Sequence, residues 1–124
     1  MPDAAKIVLH VEDNDDNRIL VKRVLQFGGY EVIEASNANE ALDSINGCKP
    51  DLILLDINMP EVDGYSLTGQ IKALPGLQQV PVIAITANAL KGDRERSYQA
   101  GCDGYIEKPI DIDTFLDQIE SYFG

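Results

Sequence analysis

The sequence predicts an α/β fold of five βα units wound about one parallel sheet, and three observations predict it. Five short apolar, β-branched-rich runs alternate with five stretches of helical spacing. Two of the runs, Leu52-Ile53-Leu54-Leu55 and Val82-Ile83-Ala84-Ile85, show no apolar–polar alternation, so both of their faces must be covered. Strict βα alternation also requires right-handed crossovers, which put helices on both faces of the sheet. The expected architecture is a doubly wound (βα)₅ with strand order 2-1-3-4-5.

The first strand is expected over Lys6 to Val11. In the helix after it, Leu20, Val24 and Phe27 share a face, and Gly28-Gly29 stop it. The second strand spans Tyr30 to Ala35. Its helix opens with Asn37 and Glu40 in capping-box spacing and turns Ala38, Ala41, Leu42 and Ile45 inward. Asp51 to Leu55 form the third strand, followed by a helix with Leu67, Ile71 and Leu74 ahead of Pro75-Gly76. Val80 to Thr86 form the fourth. The helix after it, roughly Lys91 to Ala100, is mostly polar with Tyr98 as its main large apolar group, so it packs weakly and can move. Gly104 to Lys108 form the fifth strand. The last helix has the clearest pattern, with Ile112, Phe115, Leu116, Ile119, Tyr122 and Phe123 at i, i+3, i+4, i+7 spacing.

A chain of 124 residues with 44% apolar content suits one domain, with a core over about residues 5–123 and no output domain. The opening Met-Pro-Asp-Ala-Ala has neither the charged nor the apolar region of a secretory signal and reads as a true N-terminus, so a cytoplasmic location is expected. No apolar run is long enough to span a bilayer. The net charge of −11 and isoelectric point near 4.3 repel phosphate backbones and anionic lipid, which argues against nucleic acid and membrane as partners. Cys48 and Cys102 lack CxxC spacing and read as structural. The single histidine, His10, lies in a strand-like run and reads the same way. No Cys–His or Ser–His nucleophile arrangement can be assembled.

In open parallel sheets ligands bind beyond the carboxyl ends of the strands, where strand order reverses. Strand one runs into Glu12-Asp13, strand three into Asp56, strand four into Thr86 and strand five into Lys108. Three carboxylates, a hydroxyl and an ammonium therefore converge on one edge. Carboxylates so crowded raise one another's pKa unless a counter-charge is supplied. Oxygen-only ligands favour Mg²⁺, with Mn²⁺ as the alternative, and a half-open site of this kind suits phosphoryl transfer. Asp56, at the end of the central strand, is then the nucleophile. Asp13, with Glu12 acting directly or through water, holds the metal. Lys108 pairs with a phosphoryl oxygen, Thr86 donates its hydroxyl, and the small Ala87 leaves its backbone N–H open to the phosphoryl group.

At these positions the chain resembles the receiver domain of two-component response regulators over essentially its whole length. The resemblance rests on Glu12-Asp13, the run Asp56-Ile-Asn-Met-Pro60 with Asp63-Gly64, Thr86-Ala87, Tyr105, and Lys108-Pro109. It implies a flavodoxin-like fold, Asp56 as phosphoacceptor, and Mg²⁺ held by Glu12, Asp13, Asp56 and the backbone carbonyl of Asn58. It also implies a Thr86–Tyr105 switch pair and a cis Lys108–Pro109 bond. The protein is then a switch rather than a turnover enzyme, catalysing only its own phosphorylation and dephosphorylation. Asn58 and Asn88, beside the pocket, are expected to influence how fast the acyl phosphate hydrolyses.

Rival readings fail on particular residues. Asp13-x-Asp15-x-Asn17 begins like an EF-hand loop, but Arg18 replaces the required glycine and Val24 the bidentate glutamate. Asp56-x-Asn58 follows the third strand and lacks the second aspartate of haloacid-dehalogenase-type phosphatases. A flavin carrier would need a Ser/Thr/Gly loop where this chain is acidic. The expected phosphodonor is a histidine of a sensor kinase or phosphotransfer protein, docking on the first helix through Asn17, Arg18 and Leu20. The expected output surface is helix four, strand five and helix five. After Lys108 the chain has no Lys or Arg, only Asp111, Asp113, Asp117 and Glu120, which argues for a monomer with a basic or apolar protein partner. A stand-alone chemotaxis-type or relay receiver and one cut from a larger protein both remain open.

Overall fold

Five parallel strands, β1 (Ile7–Val11), β2 (Glu31–Ala35), β3 (Leu52–Asp56), β4 (Val82–Thr86) and β5 (Gly104–Glu107), pair in the order β2-β1-β3-β4-β5. Between and after them run α1 (Asp15–Phe27), α2 (Ala38–Gly47), α3 (Gly64–Lys72), α4 (Asp93–Ala100) and α5 (Ile112–Ser121). This computed structural model describes residues 5–59, 63–87 and 92–123. Pro60, Asn88 and Lys91 lie outside the described residues. No helix among the described residues is long and apolar enough to cross a membrane.

The unalternating runs do what their composition demands. Every residue of β3 and β4 is buried. Leu52, Leu54, Ile83 and Ile85 face Val21 and Leu25 of α1 and Phe115 and Ile119 of α5. Ile53, Leu55, Val82 and Ala84 face the opposite layer, with Ala41 and Ile45 of α2 and Leu67 and Ile71 of α3. The sheet is thereby covered on both sides, with α4 beside α3.

Short polar residues start the helices by accepting otherwise orphaned N–H groups. Asn14 accepts from Asn17 N–H (2.9 Å), Asn37 from Glu40 N–H (2.8 Å), Asp63 from Tyr65 and Ser66, and Asp111 from Asp113. The Glu40 carboxylate reaches back to the N–H and hydroxyl of Ser36, the residue before the cap. Gly64 opens α3 where only a hydrogen fits: a Cβ there would stand 2.9 Å from the Ile57 Cα. Helix α4 is the exception. It starts after Gly92 at φ 91° with no side-chain cap, and Ser97 is its fully buried side chain among the described residues, while Tyr98 is half exposed.

Three expectations need correction. The inward face of α1 is Val21 and Leu25; Leu20 is exposed and Phe27 is 90% exposed, because the helix carries apolar residues around most of its circumference. Ile112, assigned to the inward face of α5, is also exposed. The third strand sits one residue later than expected and includes Asp56, which pairs with Ile85. At the amino edge of the sheet, Lys72 Nζ donates to Asp103 Oδ2 (2.8 Å) and to the Val80 carbonyl (2.8 Å), and Asp103 Oδ2 also accepts Val82 N–H (2.9 Å).

Candidate functional site

The strand register decides what meets at the carboxyl edge. Asp56 and Thr86 end β3 and β4 as strand residues, while Glu12 and Lys108 lie one residue beyond β1 and β5. Glu12 N–H donates to the Ala35 carbonyl (2.9 Å), which prolongs the sheet and turns the side chain in, leaving the residue only 2% exposed. Its carboxylate accepts from Asn17 Nδ2 (3.0 Å), and Arg18 Nη1 donates to its carbonyl (2.8 Å). Asp56, also buried, accepts Asn58 N–H at Oδ1 (2.8 Å) and Lys108 Nζ at Oδ2 (2.8 Å). Lys108 is anchored by its own N–H on the Thr86 carbonyl (2.8 Å), and its ammonium stands 3.9 Å from Glu12 Oε1. Oxygens of Glu12, Asp13 and Asp56 all lie within 4.8 Å of one another, with Asp13 exposed on the solvent side.

Among the described residues Lys108 is the cation hydrogen-bonded within this trio, one positive charge against three carboxylates. Burial, then a hydrogen bond shared with Asp56 and the charge of Asp56, push Glu12 up to about 7. Burial alone would raise Asp56 too, but hydrogen bonds from Glu12, Lys108 and the Asn58 N–H hold it below the usual range. The two carboxyls thus behave as a pair sharing a proton. A hard divalent cation removes that conflict, and the donor set is all oxygen.

Other residues surround this centre. A cavity of about 400 Å³ beside it is lined by Glu12, Asn17, Leu20, Ala87, Lys108, Pro109 and Ile110. The Lys108–Pro109 peptide bond is cis. Thr86 is fully buried at the end of β4. Tyr105 is half buried, with its ring edge-on to Tyr98 of α4 at 6.2 Å between centroids. The Ala87 N–H is not open as expected: it donates to Asn58 Oδ1 at 2.7 Å.

The sequence model described as the response regulator receiver domain matches residues 8–120. The chain belongs to that family. It is 47% identical over 119 residues to the polar-differentiation response regulator DivK of Brucella anthropi, covering 96% of this chain and 97% of that protein. Among solved structures, the receiver domain of sensor histidine kinase PA1611 from Pseudomonas aeruginosa aligns at TM-score 0.89 and 37% identity, over 98% of this chain and 99% of that one. That structure has a magnesium ion in its active-site cleft. Vibrio cholerae chemotaxis protein CheY4 aligns at TM-score 0.91 and 27% identity, over 96% and 99%.

Receiver domains of two-component systems accept phosphoryl groups and bind Mg²⁺ in an acidic pocket. In this receiver domain Glu12, Asp13, Asp56, Asn58, Thr86, Ala87 and Lys108 gather at one edge, and Tyr105 stands apart against α4. Of the three residues assigned to donor docking, Asn17 and Leu20 line the cavity. Arg18 instead turns onto the Glu12 carbonyl and Asp15. Sequence reasoning missed Asn17 as the partner of Glu12, and missed the Asn58–Ala87 contact. An asparagine three residues after the Asn14 cap gave some signal for the first; nothing local signals the second.

Proposed function

We propose that Asp56 is the phosphoacceptor of a two-component phosphorelay. The observation that supports this most is the Asp56 carboxylate, buried at the end of β3, held by Lys108 at 2.8 Å and within 4.8 Å of two further carboxylates. Glu12, Asp13, Asp56 and the Asn58 carbonyl would hold Mg²⁺, whose chemistry is to neutralise charge on the phosphoryl oxygens. An Asp56 oxygen attacks the phosphorus of a phosphohistidine, the new O–P bond forms, and the P–N bond breaks with its electron pair returning to the imidazole. Lys108 and the Thr86 hydroxyl then bind the oxygens of the acquired group, as does the Ala87 N–H. The donor histidine belongs to a sensor kinase or phosphotransfer protein that docks beside α1, where Asn17 and Leu20 line the cavity.

The acquired charge draws Thr86 inward, and Tyr105 moves from its edge-on contact with Tyr98, so that α4, β5 and α5 present a different face. Weak capping and sparse burial of α4 support its role as the moving element. The output partner is a protein with basic or apolar character, since α5 and its cap carry Asp111, Asp113, Asp117 and Glu120 and no basic residue. The likeness to DivK over 96% of the chain supports residues 1–124 acting as one receiver unit; on our reading it works in the cytoplasm, as a monomer that catalyses only its own phosphorylation and dephosphorylation.

The test is acid-labile phosphorylation from acetyl phosphate and from a phosphorylated histidine protein, with and without Mg²⁺. Labelling at Asp56 that needs the metal, and vanishes in Asp56→Asn, is the expected result. Labelling of Asp56→Asn at the native rate sinks the assignment.

A further inference from the structure

Asn58 touches both groups that a phosphoryl group on Asp56 would lie between. Its backbone N–H donates to Asp56 Oδ1 at 2.8 Å, and its side-chain Oδ1 accepts the Ala87 N–H at 2.7 Å. The two contacts join the loop after β3 to the first residue after β4. A backbone N–H offers one proton and makes one strong, near-linear bond. If the Ala87 N–H is to bind a phosphoryl oxygen, as proposed above, that oxygen has to replace the Asn58 carboxamide oxygen.

We propose that the Asn58 side chain is a resting-state latch that competes with the phosphoryl group for the Ala87 N–H. This rests on Asp56 being the phosphoacceptor, and it adds a regulatory contact at the same site. In the resting protein the latch satisfies the amide of the exposed Ala87 and ties the two loops together. On phosphorylation an anionic oxygen displaces the neutral carboxamide oxygen, because charge-assisted bonds are the stronger kind. The loops are then joined through the phosphoryl group, and the freed carboxamide must turn away. On hydrolysis the side chain returns and helps to expel the bound anion. Asn58 acts through Ala87 and is a positioning residue, not a catalytic one.

Two measurements separate the latch from the function beneath it. In the metal-free resting protein, amide exchange at Ala87 should be slow in the native chain and at least fivefold faster in Asn58→Ala, with Ile85 unchanged as an internal control. With Mg²⁺ present, beryllofluoride should bind Asn58→Ala about three to ten times more tightly, the equivalent of one net hydrogen bond no longer displaced. Asn58→Ser, too short to reach Ala87 from the same backbone, should behave alike and guards against misfolding of the alanine variant. Unchanged Ala87 exchange in both variants overturns the latch, as does unchanged or weaker beryllofluoride binding in both. Exchange is read without any chemistry at Asp56. If it speeds up as expected while the native chain takes no beryllofluoride at Asp56, the phosphoacceptor reading has failed and competition falls with it.

Discussion

An aspartate and a lysine meet at 2.8 Å on each edge of the sheet, yet the two pairs do opposite things. At the amino edge, Asp103 and Lys72 form a closed arrangement. One acid meets one base, Lys72 also serves the Val80 and Gln78 carbonyls, and Asp103 also takes the Val82 N–H. The pair stitches the end of α3 to the start of β4 and to the turn before β5. At the carboxyl edge, Asp56 and Lys108 are joined by two more carboxylates, Glu12 and Asp13; Glu12 and Asp56 are more deeply buried than Lys108, while Asp13 is exposed. Balanced charge there would need another cation. The difference teaches that an ion pair of matched charge tied into the backbone serves stability, whereas one left with surplus buried acid awaits a ligand.

The largest effect should appear in the pH dependence of stability without metal. His10, on β1 just before the acidic edge, is 1% exposed, and neither ring nitrogen has a hydrogen-bond partner among the described residues. Burial lowers its pKa from 6.5 to about 4. Because the unfolded chain takes up the proton first, the stability His10 permits is full above pH 6.5 and is lost as pH falls towards 4, by about 3 kcal/mol. Glu12 has the opposite sign: its pKa is raised to about 7, so its contribution is full below 4.5 and is lost as pH rises through 7. The two slopes oppose each other in one window. Urea melts between pH 4 and 7 should show stability falling with pH in His10→Leu and rising more steeply than native in Glu12→Gln. Identical slopes in all three chains would remove the electrostatic account of this edge.

Next in size is a direct contrast between the two aspartates. Asp103→Ala leaves the Val82 N–H without its acceptor and the Lys72 ammonium without its charged partner, and should cost about 2 kcal/mol. Asp56→Asn in metal-free buffer deprives Lys108 of its charged partner but also relieves Glu12 of a neighbouring charge, so the two effects offset and the net change should be smaller than at Asp103. Thermal melts of both variants at pH 7 check this. A neutral Asp103→Ala together with a strongly destabilised Asp56→Asn would reverse the roles assigned to the two edges.

How much of this was legible in the sequence depended on how local the cause was. The five strands could be read because apolar runs such as Leu52 to Leu55 must be covered on both sides, and the strand ends then brought Glu12, Asp56, Thr86 and Lys108 to one edge by period and register alone. The face of α1 could not be chosen. Ile19, Leu20, Val21, Val24, Leu25 and Phe27 are apolar around most of the helix, and only packing against β1, β3 and α5 selects Val21 and Leu25. The occupied Ala87 N–H was equally hidden, because Asn58 lies 29 residues away and a loop asparagine has many partners open to it. His10, read as structural, is buried in the sheet. That its ring nitrogens have no hydrogen-bond partner among the described residues depends on what packs around them, which no local pattern encodes.

The smallest effect tests which edge awaits the cation. A ligand that binds only the folded chain stabilises it by RT ln(1 + [L]/Kd), about 1.4 kcal/mol when Mg²⁺ is at ten times its Kd. The gain should be larger at pH 8 than at pH 6, since Mg²⁺ must displace the proton that burial and Asp56 keep on Glu12. Asp13→Asn, which removes the exposed member of the carboxylate trio, should lose most of this gain. Asp103→Ala, though less stable to begin with, should keep all of it, because its deficit lies at the other edge. Melting the three chains with Mg²⁺ and then with excess EDTA, the native chain at both pH values, gives the four differences needed. An equal gain in native and Asp13→Asn chains would place the cation elsewhere, and loss of the gain in Asp103→Ala would mean that the two edges are not independent.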